Sequence, residues 1–202
     1  MNKGLSLFGG IIAIVLVVAL MIGGYFISTG NNLVNKYEEV NLQKSQIEVS
    51  LQKRADLIPN LVSTVKGYAS HESEVFTNIA DARSKAGGVV QMSDELLEDE
   101  AAFKRFQQAQ DELGSALQRL LVVTENYPEL KADQNFLALQ DELEGTENRI
   151  ATERKRYNDV VSNYNSTIRK FPKVFLANIF GFRPKAYFSA TSEAQTAPKV
   201  EF

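Results

Sequence analysis

Cysteine and tryptophan are both absent from the 202 residues, and histidine occurs once. Without cysteine there is no disulfide framework, thiolate nucleophile or Cys-based zinc site, and no lipid-modified cysteine of the lipoprotein kind. The single histidine heads His71-Glu72-Ser73-Glu74-Val75, which begins like a zinc-protease HExxH but has Val75 where the second ligand must stand. A di-iron bundle needs two Glu-x-x-His pairs, which one histidine cannot supply. Neither a GxxxxGK[ST] phosphate loop nor a GxGxxG turn occurs. An excess of one charge sign is missing too: 22 basic and 25 acidic residues are interleaved, which argues against nucleic acid as a partner. No catalytic residue, metal site, cofactor or small-molecule substrate is therefore expected. His71 reads as a surface or hydrogen-bonding group, and Glu98-Asp99 and Glu142/Glu144 read as carboxylates that keep a helix face soluble.

What the chain does have is one long apolar run. From Leu5 to Ile27 there is no charge, and as a helix these 23 residues reach about 35 Å, enough to cross a hydrocarbon core. A cleaved signal peptide is the rival, since Lys3 precedes the run and Ser28-Thr29-Gly30 follows it, but the run exceeds the usual h-region. Retention as a membrane anchor is expected, with residues 1–4 as a short tail and 5–27 as the span. The basic n-region points to the remainder lying outside the cytoplasm.

Beyond the anchor the periodicity is helical. A seam of alternating four- and three-residue steps picks Leu33, Tyr37, Val40, Lys44, Ile47, Leu51, Arg54, Ile58, Leu61, Val65 and onward to Ala86, predicting one long helix that Pro59 kinks and Gly87-Gly88 ends. Ser93 caps a second helix running to Tyr127-Pro128, with Phe103, Leu113, Leu117 and Leu120 on its stripe. A third spans Asp133 to Lys170, with Tyr157 and Tyr164 on one face. A short apolar segment, Val174 to Phe180, follows. The expected fold is all-α: an N-terminal transmembrane helix, then an antiparallel up-and-down bundle of three long helices plus a short fourth over 31–182, then a mobile tail over 183–202.

Leu51 to Phe76, LQKRADLIPNLVSTVKGYASHESEVF, resembles the signature segment of the LemA family of bacterial membrane proteins. The stretch LVVTENYPELKADQNFLALQDELEGTENRIATERKRYNDVVSNYN resembles the family's second block, and FPKVFLANIFGF with a terminal PKVEF resembles its end. The resemblance implies an anchored long-helix bundle with no established enzymatic activity. One family member is associated with magnetosome membranes, which points to membrane organisation.

The expected function is a membrane-anchored, non-enzymatic scaffold or adaptor of the cell envelope, placed in the bacterial inner membrane, acting through self-association or another envelope protein. The alternative is a peripheral membrane-remodelling protein that uses the aromatic and basic segment Phe171 to Lys185. Two surfaces stand out. Arg54, Asp56, Asn60, Lys66, Tyr68, His71 and Glu72 surround Pro59 and could present a shaped polar surface to a partner. Next to the anchor, helix two is too short to cover Leu33, Tyr37, Val40, Ile47 and Leu51, a stripe whose exposure is unfavourable at roughly 25 cal/mol per Å². A parallel self-associated stalk is expected to cover it, the alternative being a helix that bends at Pro59 and folds back onto its own bundle. With three long legs, the Phe171 to Lys185 segment should emerge at the far end, on the order of 80 Å from the lipid, and pack there as the short fourth helix.

Overall fold

The computed structural model describes residues 2–87 and 91–189, with side chains from Gly10 onward. It is all-α. The first helix, α1 (Asn2–Tyr68), takes in most of the expected N-terminal tail and, at 67 residues, is about 100 Å long. Its first portion is long and apolar enough to cross a membrane, with a mean hydropathy of 2.7 and no side chain buried in the protein. At Thr29 the helix gains a buried face, and we call the end of the bundle at this point proximal and the end near Tyr68 distal. The face continues through Leu33, Val40, Ile47, Leu51, Ile58, Leu61 and Val65, at the helical spacing that keeps one stripe against a partner.

The helix runs on through exposed Pro59 and stops instead at Tyr68. The chain then reverses: α2 (Ser73–Lys85) returns toward the proximal end. Gly87, at φ +77°, leaves the helix in the left-handed region that glycine adopts without penalty. The descent continues past residues 88–90, which lie outside the described part, because the Met92 amide meets Glu48 at 2.6 Å and Tyr37 Oη donates to Asp94 at 2.5 Å. The expected first helix is thus two antiparallel helices.

The expected second helix is also divided. Ser93 does cap a helix, accepting from the Leu96 amide, but α3 (Asp94–Glu98) is one turn long. Asp99 is extended and caps α4 (Glu100–Thr124) through the amides of Ala101 and Ala102. The chain climbs along α4, crosses the distal end through α5 (Pro128–Lys131), and descends along α6 (Gln134–Arg169), which Asp133 caps. α6 lies antiparallel along α1: Tyr68 bonds Asp133, Lys53 pairs with Glu142 at 3.0 Å, and Gln43 bonds Glu153 at 2.6 Å. Finally α7 (Lys173–Ile179) packs on α6 and α1.

Two expectations are corrected by this path. The stripe of Leu33, Val40, Ile47 and Leu51 is at most 1% exposed, covered by Ile150, Tyr157, Val161, Tyr164 and Ile168 of the same chain, with Tyr37 packed beside them. No uncovered stalk exists here, because the extra reversal lets the 36-residue α6 descend along it. The same reversal changes the parity of the legs, so α7 sits at the proximal end and not the distal one.

Two apolar cores result. The distal one joins Ile58, Leu61, Val65, Phe76, Ile79, Leu113, Leu117, Leu120, Phe136 and Leu143. The proximal one joins the α1 stripe to Leu97, Phe103, Tyr157, Val161, Tyr164 and Phe188. That Phe188 belongs to a core corrects a third expectation. Residues 183–189 of the supposed mobile tail form, with Phe182, a strap against the bundle, while 190–202 lie outside the described residues.

Candidate functional site

Between Leu51 of one core and Ile58 of the other stands Arg54, 2% exposed. Its guanidinium donates to Gln110 of α4 and to Glu147 of α6, and Gln110 in turn donates to the Ala86 carbonyl that ends α2. Burial pulls the Arg54 pKa down, and the Glu147 carboxylate opposes that shift. This polar layer ties α1, α2, α4 and α6 at one level. Of the polar candidates around Pro59 it consumes the one that is buried, so Arg54 is not part of an exposed partner surface.

The remaining signature residues separate into two places. Asp56 and Asn60 line a shallow cleft with Val49, Gln52, Lys53, Leu57 and Glu142, while Pro59 is exposed on the same helix. Lys66, Tyr68, His71 and Glu72 gather at the distal reversal. There Lys66 covers the Phe76 ring, Tyr68 donates to Asp133 at 2.9 Å, and Glu72 accepts from Tyr127 at 3.1 Å. His71 is exposed in the turn. These contacts hold the α1–α2 turn against the α4–α6 crossing.

The proximal end has a different chemistry. On α7, Leu176 and Ala177 face inward while Phe175 and Ile179, four apart, are 60% and 72% exposed, and Phe171, in the turn before the helix, is 80% exposed. Phe180 is also exposed, yet its ring edge approaches the α1 backbone at Gly30. Lys173 Nζ reaches Asn32 Oδ1 at 3.1 Å. Exposed Arg169, Lys170 and Arg183 flank the rings. The result is a ledge of aromatic and basic side chains standing where the apolar segment of α1 meets the bundle.

A third feature lies in the segment expected to be a mobile tail. The strap is held by side-chain amides that each engage both main-chain groups of one residue. Asn165 takes the N–H and C=O of Lys185 (2.9 and 2.8 Å), Asn158 those of Phe188 (2.9 and 2.8 Å), and Gln107 those of Ser189 (3.0 and 2.7 Å). The Ala186 amide pairs with the Leu97 carbonyl at 2.7 Å, and Tyr164 Oη donates to the Arg183 carbonyl. Two side chains point inward. Lys185 Nζ lies 2.9 Å from Glu98 and 3.2 Å from Asp94, above the Tyr37 ring. Phe188 stands edge-on to Phe103 and Tyr157, under the Arg154 guanidinium. The only foretaste in the sequence is that Asn158 and Asn165 follow the two core tyrosines at a seven-residue spacing, which puts both amides on one edge of the helix.

Among the described residues no cluster of His, Asp and Glu has metal-site geometry. An open groove along α4, about 1570 Å³, is lined by both charge signs, and two of its pairs, Arg54–Glu147 and Arg154–Asp111, are already closed within it.

The profile of the LemA family matches residues 43–202. Magnetosome protein MamQ of Magnetospirillum gryphiswaldense is 31% identical over 173 residues, covering 78% of this chain and 64% of its own length. Magnetosome protein MamQ 2 of Paramagnetospirillum magneticum is 32% identical over 181 residues, covering 82% of this chain and 66% of its own. Protein LemA of Metamycoplasma hominis is 25% identical over 149 residues, covering 73% and 64%. The chain spans about two thirds of the length of these relatives. With the signature segment, the α6 block and the strap all inside the matched region, the chain belongs to the LemA family.

Proposed function

We propose that the protein is a single-pass, non-enzymatic scaffold of the bacterial cell envelope, anchored in the cytoplasmic membrane by α1. Its helical bundle is seated on the bilayer through the α7 ledge, and its distal and lateral faces are left for protein–protein contact. The observation that carries this reading is the position of the ledge. An interfacial anchor needs exposed aromatic groups flanked by basic ones at the depth of the headgroups, and α7 offers them beside the end of the apolar segment. Full burial of a phenylalanine is worth about 1.5–3 kcal/mol, so a few partly inserted rings orient a bundle that α1 already tethers. Relatives named as magnetosome proteins support a membrane setting for this architecture.

The absence of tryptophan makes the test clean. In proteoliposomes, Phe175→Trp should give blue-shifted emission quenched by brominated acyl chains, whereas Val122→Trp, exposed at the distal end of α4, should be insensitive to them. Equal quenching at both positions, or none at 175, would overturn the seating. A reporter fused after Phe202 is expected to be active only in its exported form. The ledge also favours a second reading, in which shallow insertion of the rings bends the bilayer. Tubulation of liposomes by the full chain, lost on Phe171→Ser/Phe175→Ser, would establish it.

A further inference from the structure

The strap is bound as an extended peptide is bound in a recognition groove. Backbone amides and carbonyls give affinity, two inward side chains give specificity, and between them Tyr187 faces out while Ala186 packs at the edge of the core. Tyr187 is 47% exposed, and Ala186 is only partly buried. The groove between α3, α4 and α6 therefore reads Pro184-Lys185-x-x-Phe188, with an acidic pocket for the lysine and an aromatic pocket for the phenylalanine. The chain contains this pattern a second time. Residues 198–202 are Pro-Lys-Val-Glu-Phe, fourteen positions after Pro184-Lys185-Ala186-Tyr187-Phe188.

We propose that this groove is a peptide-binding site for extended Pro-Lys-x-x-Phe segments, and that residues 198–202 are its second, exchangeable occupant within the same chain. The three shared residues are the ones the groove needs. Proline biases the residue before it toward extended backbone, lysine meets Asp94 and Glu98, and phenylalanine fills the slot beside Phe103 and Tyr157. Of the two differences, Glu201 corresponds to the solvent-facing Tyr187, and Val200 places a larger apolar side chain where Ala186 packs at the edge of the core. Gly181, at φ +75°, ends α7 with the Phe182 amide bonded to the Ala177 carbonyl, so the strap starts from a helix end that glycine caps without strain. Seating the second motif loops out fourteen residues, a cost that grows only slowly with length. Exchange releases Pro184 to Phe188 for other contacts. The argument is independent of whether the ledge meets lipid.

The test is lysine reactivity in the full chain in proteoliposomes, pulsed with an amine-acetylating reagent and read by mass spectrometry at Lys185 and Lys199. Lys199→Ala/Phe202→Ala removes the competitor and should slow acetylation of Lys185 severalfold. Lys185→Ala/Phe188→Ala vacates the groove and should slow acetylation of Lys199 at least fivefold, an effect that adding Asn158→Ala reverses. An unchanged rate at Lys185 in the first variant overturns the proposal, and it decides alone if the second variant loses its helix content. An unchanged rate at Lys199 in a folded second variant overturns it equally. Rates that change on dilution into excess lipid would place the exchange between copies and refute the intrachain assignment.

Discussion

Lys173 Nζ donates to Asn32 Oδ1 at 3.1 Å, fastening the first turn of α7 to α1 just past the apolar segment. The two residues are 141 positions apart, so the chain has climbed and descended twice between them. That even number of legs decides which face of the protein the aromatic segment serves. It also means that α6, rather than a second copy, covers the proximal half of α1.

Cysteines introduced at Val40 or Ile47 are accordingly expected to give no interchain disulfides in membranes. Both positions are fully buried against α6. Ile47→Ala should cost about 2–5 kcal/mol through the cavity it leaves, measured by denaturant unfolding of the detergent-solubilised chain. Efficient interchain crosslinking at either site in a folded chain would show that α6 leaves this face.

Arg54→Ala is expected to destabilise by about 2–4 kcal/mol, since it strips Gln110 and Glu147 of their shared partner inside the bundle. Arg54→Met keeps the aliphatic stem and should cost less. Arg54→Lys should not rescue fully, because one ammonium cannot reproduce a fork that addresses α4 and α6 together. Wild-type stability in all three variants would mean that the polar layer carries no net energy.

How much of this was legible follows from particular residues. α6 was readable at both ends, because Asp133 is a strong cap and Phe171-Pro172 a firm stop, and it runs Gln134–Arg169. The reversal after Tyr68 was not. The apolar seam keeps its phase across it, with Val65 before and Ile79 and Ala82 after, so periodicity alone reads straight through. Gly67 and the polar run Ser70-His71-Glu72-Ser73 were the local marks of the break. Missing that one turn moved α7 from one end of the molecule to the other, although its composition had already been read as interfacial. The partners of Arg54 lie 56 and 93 positions away, and nothing local announces them.

The two buried tyrosines of α6 should respond in opposite ways to loss of the hydroxyl. Tyr157 Oη has no hydrogen-bond partner among the described residues, and burial pushes its pKa far up. Tyr164 Oη donates to the Arg183 carbonyl of the strap at 3.0 Å. Tyr157→Phe is therefore expected to be neutral or stabilising by up to about 1 kcal/mol, and Tyr164→Phe to cost about 1 kcal/mol. Equal losses in thermal unfolding would contradict the assignment.

The last expectation concerns acid. A hydrogen bond from Tyr37 holds the Asp94 carboxyl below its ordinary range, with Lys185 and Lys44 adding to the shift and partial burial opposing it. At the other end of the bundle the amide of Phe136 and the hydroxyl of Tyr68 depress Asp133. A carboxylate whose pKa is lower folded than unfolded contributes stability that is complete above the unfolded value, about 3.9 for Asp, and is lost as the pH falls through the folded value. In that window the unfolded chain binds protons that the folded chain does not. The melting temperature should thus fall as the pH drops below about 5, and the slope should identify its sources. Tyr37→Phe removes the largest cause at Asp94 and should flatten the acid limb. Asp94→Asn should flatten it as well, and the two together no further than Asp94→Asn alone, because they act on one interaction. Asp133→Asn, at the opposite end and sharing no partner, should add its own flattening. An acid limb unchanged by Tyr37→Phe would show that the bond from α1 to α3 does not set the charge state of Asp94, and with it part of the acidic pocket that holds Lys185.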